Sequence, residues 1–211
     1  MHHDTLLTAL VIAAAGCTIW ADLTGRRRLV YVFKPLTTVL ILLIALLKTG
    51  TSFPIYRLAL ILGLTASLGG DVFLMLPGRF FVAGLSSFLV AHLLYIGGIA
   101  STGISVGHVW RFLPFAAYAA ALYLYLRPRL TGLRPAVLAY SLVITSMAWL
   151  AWERAVQTPG LAAELAAAGA LLFVASDSAL AINRFARPVR AAPLVVLGTY
   201  YAAQLLLAHS I

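Results

Sequence analysis

The chain of 211 residues is 63% hydrophobic and only 10% charged, with a formal net charge of +9. A soluble domain carries about 25% charged residues, so this composition excludes a soluble globular protein. Apolar runs of about 20 residues recur along the whole length, and each can cross a hydrocarbon core of ~30 Å. The sequence therefore predicts an all-α, polytopic membrane protein that forms a single domain over residues 1–211.

Eight membrane-spanning helices are predicted in chain order, and loops rich in Gly, Pro and charged residues separate them. The predicted spans are 5–23, 31–49, 56–76, 79–100, 110–126, 135–153, 161–183 and 191–209. We expect these helices to pack as one bundle, because no loop between them is long enough to be a domain or a flexible linker.

The Lys and Arg residues are distributed unevenly between the two sets of loops. The odd-numbered loops, with the adjoining helix starts, contain Arg26, Arg27, Arg28, Lys34, Arg79, Arg127, Arg129, Arg134, Arg184, Arg187 and Arg190. The opposite side has only Lys48, Arg57, Arg111 and Arg154. Since cytoplasmic loops are enriched in Lys and Arg, we expect the odd-numbered loops in the cytoplasm and both termini on the extracytoplasmic side. The Ala- and Arg-rich composition favours the inner membrane of a bacterium.

A weak internal similarity relates the two halves of the chain. SLGGDVFLML in the third helix resembles FVASDSALAI in the seventh, and FLVAHLL in the fourth resembles YYAAQLL in the eighth. Two parallel four-helix halves would explain the pattern, since internal repeats occur in membrane bundles. Chance similarity between apolar helices explains it equally well.

Two acidic residues lie inside the predicted helices. Asp71 lies six residues before Pro77 and Asp177 seven before Arg184, so at 1.5 Å per residue both are ~10 Å below the cytoplasmic interface. A central Asp costs roughly 2.5–3.5 kcal/mol on insertion scales, whereas an interhelical hydrogen bond contributes about 0.6 kcal/mol. A purely structural role is therefore unfavourable, and intramembrane acids usually mark a substrate path, a proton relay or a catalytic site.

The other four acidic residues are expected to be solvated charges in loops or at the membrane interface. They are Asp4, Asp22, Glu153 and Glu164.

Two close carboxylates in a dry site share a proton, so that one is an acid and the other a base. This division suits general acid–base catalysis on an unactivated bond, and it suits a proton-coupled carrier equally well.

Several polar residues are predicted to lie near the two aspartates. Lys34 is expected either to set the membrane topology or to contact the carboxylates or a lipid phosphate. Arg184 is expected either to set the topology or to bind a phosphate. Asn183 is next to Arg184 in the sequence and could position water or a headgroup. Nearer the midplane, the candidate substrate-binding residues are His92, Tyr95, Tyr200 and Gln204. The histidines and the single cysteine lack metal-ligand spacing, so we expect neither a metal nor a cofactor.

Five segments together resemble a known family. They are FKPLTT (33–38), SLGGDVFLMLP (67–77), FLVAHLLYI (88–96), GALLFVASDSALAINRF (169–185) and TYYAAQLLL (199–207). In order and spacing they are similar to the YhhN-like lysoplasmalogenase family, over residues 33–207.

The resemblance implies an eight-helix enzyme that cleaves the vinyl ether bond of lysoplasmalogens. The expected products are a fatty aldehyde and glycerophosphoethanolamine or glycerophosphocholine, and the expected catalytic pair is Asp71 and Asp177. Such a bond hydrolyses by proton transfer to its β-carbon and capture of the oxocarbenium ion by water, a logic that parallels the carboxylate pair of glycosidases. The implied partners are a lysophospholipid substrate and membrane lipids. The distribution of Lys and Arg between the loops places the site toward the cytoplasmic leaflet, and because these residues lie in short loops between spans we expect no nucleic-acid partner.

Three other functions remain open at this point. A proton-coupled transporter of lysolipids or small amphiphiles would also use paired aspartates. An intramembrane aspartyl protease is less consistent with the sequence, because GGD matches its Gly-x-Gly-Asp motif only loosely and the Tyr-Asp partner is missing. A non-catalytic lipid-binding or assembly protein would leave both aspartates unexplained.

Overall fold

The computed structural model describes residues 2–49 and 52–211. The α-helices are α1 (His2–Leu23), α2 (Arg27–Leu47), α3 (Pro54–Met75), α4 (Phe81–Ala100), α5 (Leu113–Leu126), α6 (Arg134–Gln157), α7 (Leu161–Ala181) and α8 (Ala192–His209). Short 3₁₀ turns precede α4 and α5 and follow α5, and a π-helical turn, Ile182–Ala186, extends α7. Eight helices in the described ranges are long and apolar enough to cross a membrane. The predicted all-α, multi-pass class is therefore confirmed.

Seven of the described helices form a closed ring, and α5 lies outside it. The ring runs α1, α2, α3, α4, α6, α7, α8 and back to α1, and α8 also contacts α2 and α3. α5 packs mainly on α6, and its only buried residues are Ala119 and Leu126. The core of the protein is therefore enclosed by seven helices rather than by all eight.

Glycines bring α3 and α4 into close contact. A Cβ atom built on Gly63 would lie 2.2 Å from the Tyr95 ring, and one built on Gly70 would lie 2.6 Å from the Phe88 ring. Small residues let membrane helices approach closely, so the packing of α3 on α4 requires glycine, which has no Cβ atom, at these two positions. α7 and α8 form a similarly close pair, which is the counterpart of α3 and α4 in the proposed internal repeat. The repeat itself stays a prediction.

The loops that carry most of the Arg residues meet at one end of the bundle, which we call the Arg-rich end. The Tyr31 hydroxyl of α2 donates to the Met75 carbonyl of α3 at this end (3.1 Å). At the opposite end, the Tyr56 hydroxyl of α3 bonds the Ser210 hydroxyl beyond α8 (2.6 Å). Asp71 and Asp177 both lie in the half of the bundle nearer the Arg-rich end.

Glu153 corrects one expectation from the sequence. α6 continues to Gln157, so Glu153 lies within the helix with only 1% of its surface exposed. Its Oε2 pairs with the Arg111 guanidinium at 3.2 Å. The expectation that Glu153 is a solvated charge is therefore wrong, because the ion pair with Arg111 compensates its burial.

A methyl group at Gly70 is expected to loosen the α3–α4 pair. In Gly70→Ala the new Cβ would meet the Phe88 ring at 2.6 Å, and overpacking of this kind costs about 1–3 kcal/mol. The measurement is thermal unfolding of the detergent-purified variant. Gly97→Ala on α4 is the matched control, since nothing lies within 4 Å of its added Cβ. Equal stability of the two variants would contradict the close α3–α4 contact.

Candidate active site

Asp71 and Asp177 line one cavity at the Arg-rich end of the ring. The cavity has a volume of about 320 Å³ and is bounded by α1, α2, α3, α4, α7 and α8. Its polar lining residues are Asp22, Lys34, Asp71, Ser176, Asp177, Asn183, Arg184 and Tyr200. Two carboxylates from different helices therefore face the same space, which we call the polar cavity.

Two helices, α2 and α8, hold the carboxyl group of Asp71 on α3. The Thr38 hydroxyl of α2 donates to its Oδ2 at 2.6 Å, and the Tyr200 hydroxyl of α8 donates to the same oxygen at 2.7 Å. The Lys34 ammonium lies 3.4 Å from its Oδ1. With two hydroxyl donors and one cation, Asp71 is surrounded by groups that stabilise a charged carboxylate. Of the roles considered for Lys34, this arrangement favours the contact with a carboxylate.

Asp177 has a much sparser environment. Its Oδ2 accepts a short hydrogen bond from the Tyr140 hydroxyl of α6. No Lys or Arg among the described residues forms an ion pair with it. Apolar side chains that line the cavity beside it include Leu180 and Phe81. An environment with one donor and apolar walls favours a neutral carboxylic acid over a buried charge.

The two carboxyl groups do not bond each other. Within the described ranges, the hydrogen-bond partners of Asp71 are Thr38 and Tyr200, and the partner of Asp177 is Tyr140. The cavity between the two sites leaves room for water or for a reacting group. Both carboxyl groups are therefore positioned separately rather than as a hydrogen-bonded dyad.

A second set of polar residues lies behind Tyr200. Gln204 Nε2 donates to the Tyr200 hydroxyl at 3.2 Å, and its Oε1 accepts from the Tyr95 hydroxyl at 2.9 Å. The Ser67 hydroxyl lies 3.4 Å from that of Tyr95. Tyr95 and Gln204 do not line the polar cavity. They fix the orientation of Tyr200 and, through Tyr200, that of Asp71.

His92 lies in an aromatic environment beside this network. It is fully buried, and neither of its ring nitrogens has a hydrogen-bond partner among the described residues. Its ring packs against Phe173 and Tyr140, with centroid separations of 4.6 and 5.4 Å. His92 does not line the polar cavity either. It therefore packs against the phenol ring that bonds Asp177.

Opposite charges stand at the mouth of the cavity. The exposed Arg184 side chain lies on the π-helical turn, a feature that is frequent at functional sites, with its guanidinium 4.9 Å from the centroid of the Phe81 ring. Asn183 Oδ1 accepts from the Val189 backbone N–H at 2.9 Å, so this side chain holds the turn between α7 and α8.

Asp22, in the last turn of α1, is the acidic lining residue that sequence reasoning missed. Its position at the same end as Asp71 and Asp177 was the available signal.

Neither Arg184 nor Asp22 forms an ion pair within the described residues. No group of three or more His, Cys, Asp or Glu side chains in these ranges could hold a metal ion.

The ring of apolar helices with a carboxylate-lined cavity defines a multi-pass membrane protein with an intramembrane acidic site. The YhhN family model matches residues 29–211, which is most of the chain. The chain belongs to the YhhN family.

Curated relatives in mammals and bacteria are similar to this chain. Lysoplasmalogenase TMEM86A of Bos taurus is 38% identical over 156 residues, which cover 70% of this chain and 62% of the bovine protein. Lysoplasmalogenase TMEM86B of Mus musculus is 34% identical over 177 residues, 82% of this chain and 70% of the mouse protein. An uncharacterized membrane protein YhhN of Escherichia coli O157:H7 is 28% identical over 202 residues, 95% of this chain and 96% of that protein. No solved structure matches the chain.

Removal of the Lys34 cation is expected to destabilise the fold. Lys34→Met leaves the buried Asp71 carboxylate without its counter-charge, which costs about 3–5 kcal/mol when one partner of a buried pair is removed. The measurement is the free energy of unfolding in detergent. Adding Asp71→Asn to Lys34→Met removes the unpaired charge and is expected to restore most of the loss.

Lys48→Met is the control for this series. Lys48 follows α2 and forms no ion pair among the described residues, so we expect a change within about 0.5 kcal/mol. If Lys34→Met and Lys48→Met were equally stable, Lys34 would not compensate the Asp71 charge.

Proposed function

We propose that this protein hydrolyses the vinyl ether bond of a lysoplasmalogen, releasing a fatty aldehyde and a glycerophosphoethanolamine or glycerophosphocholine. The observation that carries the proposal is the unequal environment of two carboxyl groups on one cavity. Asp71 has two hydroxyl donors and a cation, whereas Asp177 has one hydroxyl donor. The names of the mammalian relatives support the same reaction.

The environments divide the chemical roles. Asp177, neutral between Tyr140 and apolar side chains, is the general acid. Asp71, held as a carboxylate, is the general base and stabilises positive charge that develops in the cavity. Two titratable groups in contrasting environments are the usual basis of an acid–base pair.

The first step is protonation of carbon. The Asp177 carboxyl group donates its proton to the β-carbon of the vinyl ether, which forms a C–H bond and places positive charge on the α-carbon and the ether oxygen. Asp177 becomes a carboxylate. The negative charge of Asp71 on the same cavity lowers the energy of this oxocarbenium ion, because electrostatic stabilisation is strong in a site that excludes most water.

The second step is capture by water. Asp71 accepts a proton from a water molecule while the oxygen of that water forms a bond to the α-carbon. The product is a hemiacetal. The hemiacetal then collapses: its hydroxyl proton passes to Asp177, the C–O bond to glycerol breaks, and Asp71 returns its proton to the glycerol oxygen. Both carboxyl groups thereby regain their starting protonation states, so the cycle needs no cofactor.

The charges at the cavity mouth fit a zwitterionic headgroup. Arg184, which has no ion-pair partner in the described ranges, is available for the phosphate. Asp22 lines the same cavity and is available for the ammonium group. By the distribution of Lys and Arg, we propose that this mouth faces the cytoplasmic leaflet.

Replacing either carboxyl group is expected to abolish turnover. Asp71→Asn and Asp177→Asn each remove one member of the acid–base pair, which contributes about 10²–10⁴-fold to rates. The measurement is aldehyde release from a defined lysoplasmalogen by the detergent-purified protein. Asp4→Asn, in the first turn of α1 at the opposite end, is the control and keeps wild-type turnover.

Ester-linked and alkyl-ether lysolipids are the substrate controls, and neither is expected to react. Wild-type turnover in a well-folded Asp71→Asn or Asp177→Asn variant would overturn the mechanism. No release of aldehyde by the wild type, together with uptake of lysolipid into proteoliposomes, would identify a carrier instead.

Deuterium exchange separates the roles of the two aspartates. In D₂O, Asp177 of the Asp71→Asn variant adds a deuteron to the vinyl β-carbon, but capture by water is slow. The cation then returns to substrate by giving a proton from the β-carbon back to the Asp177 carboxylate. Rotation about the single bond between the α- and β-carbons allows the original hydrogen to leave, so the recovered substrate carries deuterium at that carbon. Asp177→Asn cannot start the reaction, so its recovered substrate carries none. Mass spectrometry of the recovered lysoplasmalogen makes the comparison, and the reverse pattern would exchange the roles of acid and base.

A further inference from the structure

Two apolar cavities follow the polar cavity, the first beside it and the second towards the opposite end of the bundle. The first, which we call the slot, lies between α3, α4, α5, α6 and α7 and has a volume of about 50 Å³. It shares five lining residues with the polar cavity, and these are Leu74, Phe81, Phe88, Asp177 and Leu180. The polar and the apolar spaces therefore meet along these five residues, of which Asp177 is the polar one.

The second apolar cavity, which we call the groove, lies beyond the slot between α5, α6 and α7. It has a volume of about 710 Å³ and extends to Trp110, Arg111 and Trp152, near the end of the bundle that is opposite the Arg-rich end. It shares with the slot only Tyr118, Thr145 and Val174. These three residues, one from each helix, form the junction between the two spaces, which we call the waist.

A hydrogen bond joins α5 to α7 close to the waist. The Tyr118 hydroxyl of α5 donates to the Ser178 hydroxyl of α7 at 2.8 Å. Tyr118 lines both cavities and Ser178 lines the slot. Because α5 packs mainly on α6 and has few buried residues, this bond is a specific tie between α5 and α7.

The geometry points to a path for the alkenyl chain of the substrate, from Asp177 through the slot and the waist into the groove, with the waist limiting which chains pass. This inference rests on the proposed function. The surface that the lining residues expose to the slot is almost entirely apolar, as a hydrocarbon chain requires. Asp177, the group assigned as the acid, lies on the wall that the slot shares with the polar cavity, so a chain that enters the slot across this wall carries its vinyl ether double bond past Asp177.

The length and direction of the path also fit a lipid chain. From Tyr140, which bonds Asp177, to Trp152 in the groove is twelve residues of α6, or about 18 Å at 1.5 Å per residue. Because Asp177 already lies ~10 Å below the interface at the Arg-rich end, a path of this length passes the middle of a ~30 Å hydrocarbon core and ends near its far side. A lysolipid with its headgroup at the Arg-rich end therefore directs its chain along the path without changing orientation.

The waist is tested by narrowing it. Val174→Trp adds bulk where the slot meets the groove, whereas Ala168→Trp adds the same side chain at an exposed position of α7 that lines none of the three cavities. We compare kcat/KM for hexadecenyl and octenyl lysoplasmalogens. Val174→Trp is expected to lower the ratio of long-chain to short-chain activity by about tenfold or more, and Ala168→Trp to leave it unchanged.

Tyr118→Ala tests the waist in the opposite direction. Tyr118 is an exposed residue, so this variant is expected to fold. Loss of the ring widens the waist, so activity on a chain with a bulky pyrene end is expected to rise relative to the hexadecenyl chain. Equal effects of Val174→Trp on short and long chains, or no gain in Tyr118→Ala, would overturn the assignment.

A binding measurement separates this inference from the proposed reaction. An ester-linked lysolipid with a diazirine at the chain end is photolysed with wild type and with Asp177→Asn, and the labelled peptides are sequenced. Labelling is expected at α5, α6 and α7 around the groove in both proteins. Labelling only on the outer faces of α1 or α2 would overturn the chain path. Groove labelling without aldehyde release from any substrate would overturn the reaction and retain the path.

Discussion

Burial of the Asp71 carboxylate is the constraint on which the rest of the site depends. An apolar helical bundle offers a charge no water, so every compensating group must come from neighbouring helices. Lys34 and Thr38 on α2 and Tyr200 on α8 provide them. These contacts fix α2, α3 and α8 relative to one another, and the Gln204–Tyr95 hydrogen bond extends the same constraint to α4. The helices of the ring therefore pack around the residue whose burial costs the most free energy.

The two aspartates differ because the helices packed around each of them supply different numbers of polar partners. Asp177 receives one phenol, and that phenol packs against His92 rather than against a charged group. A carboxyl group with one cation and two hydroxyl donors and a carboxyl group with a single hydroxyl donor thus line one cavity. Equal environments would have given two groups with the same protonation preference. The difference between the environments of Asp71 and Asp177, more than the presence of two acids, supports the proposal of acid–base catalysis.

The sequence predicted the helices and the end of the bundle nearer which the two aspartates lie, because both depend on local patterns of apolar and charged residues. It did not predict that α5 lies outside the ring, since an apolar helix looks the same whether protein or lipid covers it. Glu153 was misjudged because its partner Arg111 is distant in sequence. Likewise, residue type alone did not separate Tyr200, which touches Asp71, from Gln204 and Tyr95, which lie behind it. Long-range pairing decided each of these cases.

Because α5 lies outside the ring, the orientation of the two carboxyl groups and the shape of the apolar cavities depend on different helices. The ring helices hold both carboxyl groups, while α5 supplies one wall of the slot and of the groove and buries little of its own surface. Substitutions along α5 can therefore alter one wall of the apolar space while the helices that orient Asp71 and Asp177 remain unaltered. Under the proposed function, proteins that share the ring could diverge in the lipids they accept through changes in this single helix, and the same helix is the target for redesign.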